Sequence, residues 1–227
     1  MRIPAGESVA VLGGTFDPVH AGHLALARAA LKHLPIDRVI FLPTARSPFK
    51  KSEPVASGPE RFALLVLATR HEPRFEVSPL ELESPRAPRY TLDSLREIRR
   101  HYRPRALWWL MGMDNLAGFA QWKRPNEILR LARLGVAARP GNVRPELPSA
   151  WAARVDFLPL RRAVSAGALR AVLRTGQRAV LRAGLPRPIE FSAAAADPLD
   201  ALPPSVRSYL AQHPLYSQTR QTRKARA

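Results

Sequence analysis

Short apolar runs alternate with stretches of helical period along most of the 227-residue chain. "SVAVLGG" (8–14) is an apolar run closed by two glycines, which reads as a strand ending in a turn. "HLALARAALKHL" (23–34) carries an apolar stripe at helical spacing. "DRVIFLP" (37–43) predicts a second strand, stopped by Pro43. A loop, "TARSPFKKSEPVASG" (44–58), leads into the helical "PERFALLVLATRH" (59–71), where Pro59 suits a first turn. "FEVSPLEL" (75–82) predicts a third strand, "TLDSLREIRRHY" (91–102) a helix, and "RALWWLMGMD" (105–114) a fourth strand running into a turn. "NEILRLAR" (126–133) is helical, and "LGVAARPG" (134–141) and "RVDFLPL" (154–160) supply a fifth and a sixth strand.

Strands separated by helical segments need crossovers, so the pattern predicts an α/β fold. Its centre is a doubly wound parallel sheet flanked by helices. Ligands in such sheets sit beyond the carboxyl ends of the strands, where the strand order reverses. That rule singles out "GGTFDPVHAGH", "PTARSPFKK", "GMDN" and "VSAGALR". From about residue 171 the chain turns Ala/Arg/Pro-rich with weak periodicity, before "LPPSVRSYLAQHPLY" (202–216) gives a short helix. We therefore expect one domain over 1–216 with a small helical C-terminal region from about 165. Residues 171–201 form an atypical insert within it, and 217–227 a flexible basic tail.

Composition narrows the classes. Apolar residues make up 46% of the chain, enough for a packed core. The absence of cysteine excludes a disulfide framework, thiolate zinc sites and a cysteine nucleophile. The start lacks the pattern of a signal peptide, and the longest apolar stretches fall far short of about 18 residues. A soluble cytoplasmic protein is the expectation, with no membrane partner. The formal charge is +18 with a pI near 11.6, which suggests nucleic acid. However, the basic residues are mostly arginine in an Ala- and Pro-rich chain, and they are scattered until the closing "QTRQTRKARA". Composition bias accounts for that spread, and an anionic small-molecule substrate is favoured over nucleic acid.

The opening motif carries the chemistry. Gly13 and Gly14 stand where the first strand must turn, and glycine lets a ligand approach the main chain. His20 and His23, three apart, share one face of the following helix. They lie at its start, where free N–H groups and the dipole favour anions. Metal coordination and surface placement are the competing readings of the pair. Zinc wants three or four protein ligands, and no HExxH spacing is present. Neither the GxGxxG nor the GxxxxGK[ST] fingerprint is present either.

"GGTFDPVHAGH" resembles the HxGH signature of a nucleotidyltransferase superfamily, and in its longer form that of the bacterial nicotinate-nucleotide adenylyltransferases. "SPFKK", "RYTLDSL", "GMDNLAGFAQW", "VAARPG", "VSAGALR" and "LPPSVRSYLAQHPLY" match that family in order across residues 8–216. The resemblance implies a Rossmann-like fold. It also implies adenylyl transfer from ATP to nicotinate mononucleotide, giving deamido-NAD and pyrophosphate, with Mg2+ carried by the ATP phosphates. His20, His23 and Arg170 are then the catalytic candidates. Gly13, Gly14, Thr15, Phe16, Lys50, Asp114 and Ser165 join them around ATP, and Tyr90, Thr91, Trp122 and Lys123 around the mononucleotide. Asp17 is expected to fix the loop, because a carboxylate against triphosphate would repel it. Trp108 and Trp109 read as sheet-face core residues.

No protein-bound metal is expected, and no general base is needed. A phosphate monoester with a second pKa near about 6 is already ionised at neutral pH, so catalysis reduces to alignment and charge stabilisation. The chain departs from the family pattern at Gly167, where Ser or Thr is usual, and at Phe49, where histidine is common. Other acceptors, nicotinamide mononucleotide or phosphopantetheine, remain alternatives. So does a weakened enzyme that binds nucleic acid.

Overall fold

The computed structural model describes residues 6–45, 53–83, 90–138, 144–160, 169–171, 173, 198–213 and 215–216. Six strands form one parallel sheet: β1 (Val9–Gly14), β2 (Arg38–Pro43), β3 (Phe75–Val77), β4 (Leu107–Gly112), β5 (Arg133–Ala138) and β6 (Val155–Pro159). Their spatial order is β3-β2-β1-β4-β5-β6. The chain winds outward from β1 in one direction and from β4 in the other, so the order reverses between these two neighbours. A crevice at their carboxyl ends follows from that topology.

The helices are α1 (Ala21–His33), α2 (Gly58–Thr69), α3 (Thr91–Tyr102), α4 (Met113–Ala117), α5 (Pro125–Leu131), α6 (Ser149–Ala152) and α7 (Pro204–Gln212). Alternation along the central strands feeds two cores. Ala10, Leu12, Trp108 and Leu110 face α1, α2 and α7. Val9, Val11, Trp109 and Met111 face α3, α4 and α5. Both tryptophans are buried against the sheet, as expected. The Trp108 indole donates to Asp156 Oδ2 at 2.9 Å, and Arg133 grips the same carboxylate from β5 at 2.8 and 2.9 Å. This ties β4, β5 and β6 together.

Local signals explain most boundaries. Ser57 caps α2 and makes a reciprocal box with Glu60: the Ser57 N–H donates to Glu60 Oε2 at 2.7 Å and the Glu60 N–H to Ser57 Oγ at 3.4 Å. Lys32 and His33 occupy the last turn of α1, where the dipole favours cations. The third strand is shorter than "FEVSPLEL" predicts. Ser78 still donates to the Phe41 carbonyl at 2.9 Å. Pro79, with no N–H to offer, then ends the pairing, and Leu82 folds back onto the Pro79 carbonyl at 2.8 Å. Helices α4 and α6 and the 3-10 turns Phe119–Gln121 and Pro198–Ala201 were not anticipated. Most of the 171–201 segment and all of 217–227 lie outside the described residues. Among those described, no helix is long and apolar enough to cross a membrane.

Candidate functional site

Strand β1 ends in two glycines whose reasons differ. A Cβ on Gly13 would overlap the Trp109 ring across the sheet, so the core itself requires glycine here. A Cβ on Gly14 would lie 3.3 Å from the Phe16 ring. Phe16 itself has φ of +48°, a left-handed backbone that is costly outside glycine. That conformation goes with a ring buried in the core and set edge-on to His23, with centroids 4.8 Å apart.

His20 is the N-cap of α1 in extended conformation, and His23 sits at the third helical position. The His20 N–H donates to His23 Nδ1 at 3.2 Å, so a neutral His23 carries its proton on Nε2. The two imidazoles stack, with centroids 3.7 Å apart and planes inclined by 24°. His20 is 6% exposed, and burial lowers its pKa from 6.5 to about 4, keeping the ring neutral near pH 7. Its Nδ1 is buried with no hydrogen-bond partner, and so is Thr44 Oγ1. Thr44 lies just past β2, where its N–H donates to the Gly14 carbonyl at 2.9 Å. Unpaired buried polar atoms are rare in a folded chain; of the three among the described residues, two lie at the loops beyond β1 and β2, and the third is Tyr216 Oη.

Asp17 serves the loop, as expected. Its carboxylate accepts the N–H groups of Val55 at 2.8 Å and Ala56 at 3.1 Å. Arg170 Nη1 donates to the Asp17 carbonyl at 2.6 Å, which brings residue 170 against the same turn. Asp114 is exposed in the first turn of α4, directly past β4 and so on the other side of the crevice. Lys50 and Ser165, with Phe49 and Gly167, lie outside the described residues.

A second cluster forms where α3 begins. Tyr90 is its N-cap and Thr91 its first residue. Lys123 places Nζ 4.5 Å from the centre of the Tyr90 ring and 3.8 Å from Asp93 Oδ2. Trp122, next in the chain, packs against Phe119 with centroids 5.4 Å apart. Tyr90 is one of the few large apolar side chains left exposed. The structure thus brings Tyr90, Thr91 and Lys123 together and sets Trp122 beside them. Glu81, buried, accepts a short hydrogen bond from Ser94 Oγ and anchors the first turn of α3.

Sequence reasoning missed Arg61, Glu81 and Tyr216, all buried. For Arg61 a signal exists: it stands in phase with Leu64, Leu65 and Ala68 on the apolar stripe of α2, where a lone arginine is out of place.

Fold and site together define a parallel α/β protein with its crevice at the β1–β4 switch point and the His20–His23 pair beside it. The cytidylyltransferase-like family model matches residues 11–175, and the chain belongs to that family. A Laribacter hongkongensis protein named "Probable nicotinate-nucleotide adenylyltransferase" is 39% identical over 95% of this chain and 97% of its own. A Solibacter usitatus protein of the same name is 35% identical over 92% and 99%. One from Thermomicrobium roseum is 44% identical over 131 residues, which span 58% of this chain and only 61% of that protein. The match to a Methylacidiphilum infernorum relative likewise covers 64% of its length. Among solved structures, a Plasmodium falciparum nicotinic acid mononucleotide adenylyltransferase complexed with NaAD superposes with a TM-score of 0.65. It is 13% identical over 92% of this chain and 97% of that one, a likeness of fold.

Proposed function

We propose that this protein transfers the adenylyl group of ATP to nicotinate mononucleotide, releasing pyrophosphate and forming deamido-NAD. The observation that carries the proposal is the stacked His20–His23 pair at the N-terminus of α1, beside the β1–β4 switch point. Neutral imidazole N–H, helix N–H groups and the dipole end converge there on one small region suited to a phosphate chain. Names borne by relatives that align over nearly the whole chain support the same reading.

In this mechanism the mononucleotide phosphate attacks the α-phosphate in line, and pyrophosphate leaves. His20 and His23 donate to the oxygens on which charge develops, with Thr15 and the Arg170 guanidinium close by. Lys50 and Ser165 complete the phosphate contacts, and Asp114 takes the ribose hydroxyls of ATP. Gly13, Gly14 and Phe16 shape the loop. Tyr90 and Trp122 stack on the pyridine ring, and the backbone N–H groups of Thr91 and Lys123 hold its carboxylate. Magnesium enters as part of the substrate, MgATP, carried by the ATP phosphates. The unit that does this is residues 1–216, acting as a soluble cytoplasmic enzyme.

The test is to give the purified protein MgATP with nicotinate mononucleotide, nicotinamide mononucleotide or phosphopantetheine, and to follow pyrophosphate. Release with nicotinate mononucleotide at the highest kcat/KM is expected. Silence with all three acceptors, or preference for another, overturns the proposal.

A further inference from the structure

Arg61 is 1% exposed, on the face of α2 that also buries Leu64 and Leu65. Burying a guanidinium is costly, and an aliphatic residue would pack there without that penalty. The side chain is not needed to cap its own helix, because Ser57 and Glu60 do so. Instead Nη1 donates to the Thr15 carbonyl at 2.7 Å and Nε to the Ala56 carbonyl at 3.2 Å. Loop carbonyls have no sheet or helix partner, so a fixed fork of donors suits them.

The bonds of Asp17 run the other way. Asp17 belongs to the β1–α1 loop, is 5% exposed, and accepts N–H groups from Val55 and Ala56 in the segment before α2. Arg61, placed just after that segment, reaches back to Thr15. Carboxylate and guanidinium thus cross-brace the two loops, each holding the backbone of the other's segment. Burial pulls the Arg61 pKa down, and the charge of Asp17 opposes the fall. Tyr216 closes the cluster. It is 2% exposed, and burial, then the Asp17 charge, pushes its phenol up.

We propose that Arg61 is a positioning residue for the phosphate site, holding the histidine-bearing turn and the Val55–Ala56 backbone before α2 in one fixed arrangement. Thr15 and Phe16 lead into the turn that ends at His20, so releasing the Thr15 carbonyl frees the approach to both imidazoles. The kinetic consequence rests on the adenylyl-transfer reading above; the brace itself does not.

Two variants test it: Arg61→Met, which keeps the bulk, and Arg61→Lys, which keeps the charge without the fork. Amide hydrogen exchange without nucleotide is followed in peptides covering 13–18 and 53–57, against reference peptides covering 133–138 and 155–159. In Arg61→Met the two loops are expected to exchange about tenfold faster, on the scale of one lost hydrogen bond to a charged group, with the reference strands unchanged. KM for ATP rises about tenfold on the same ground, KM for the mononucleotide stays within about twofold, and Arg61→Lys falls between. Loops that exchange as in the wild type, or reference strands that accelerate alongside them, overturn the proposal, and so does an unchanged KM for ATP. If Arg61→Met does not fold, Arg61→Lys carries the same comparison. If the wild type makes no dinucleotide, the adenylyl-transfer reading fails, while the exchange data still decide this one.

Discussion

The imidazoles of His20 and His23 lie parallel to within 24° at 3.7 Å, and the His23 Nδ1 accepts the backbone N–H of His20. One ring therefore caps the helix geometry of the other, and the stack places both at the mouth of α1.

Replacing His23 with alanine removes the Nε2 donor and the acceptor that steadies His20. We expect kcat to fall by at least about 100-fold, the scale of losing a positioned charge-stabilising donor. Steady-state pyrophosphate release checks this, and a loss under about threefold shows that the pair does not serve the reacting phosphates.

Acid stability should report on His20. Its pKa is about 4 in the fold against 6.5 for the free side chain, so between these values the unfolded chain binds a proton that the native chain does not. Stability conferred by this group is complete above 6.5 and is lost as pH falls toward 4. The loss is on the order of 3 kcal/mol at about 1.4 kcal/mol per pH unit. Urea unfolding at pH 7 and pH 4.5 should show a smaller drop for His20→Gln than for the wild type. Equal drops would mean that the ring is not held neutral by burial.

The acceptor side is separable from the ATP side. Trp122 stands beside the Tyr90–Lys123 contact and away from the β1–α1 loop in sequence. Losing its stacking surface in Trp122→Ala should raise KM for the mononucleotide about tenfold, the upper scale of an aromatic pair. KM for ATP should stay within about twofold. A rise in both together would place Trp122 in the fold rather than at the pyridine ring.

The six strands were legible because each is a short apolar run bounded by a turn signal, and α3 because its polar and apolar positions keep strict period. Pro79 shortened β3, an effect visible in the sequence once the strand is known to lie at the edge. Helix α4 and the 3-10 turn Phe119–Gln121 are too short to show a period at all. The histidine pair and the loop-fixing role of Asp17 could be read from chemistry alone. Arg61 could have been found as the one charge on an apolar stripe, but its partners, Thr15 and Ala56, are set by how two loops meet. For Arg170, the fold adds a bond to the Asp17 carbonyl that no spacing reveals.

Gly13 shows the same limit from the other direction. Its position at the end of a strand suggests close approach to a ligand, whereas the space its side chain would fill belongs to Trp109 on the neighbouring strand. The clash is with a rigid, 6% exposed ring in a packed core, so neither side can yield cheaply. Gly13→Ala is expected to cost about 1–3 kcal/mol of stability by overpacking. If the indole is the cause, the cost shrinks in a background with a smaller ring. A double-mutant cycle of Gly13→Ala with Trp109→Phe, read by urea unfolding, should therefore give a favourable coupling of at least about 1 kcal/mol. Additive effects would remove Trp109 as the reason for the glycine and return Gly13 to the nucleotide.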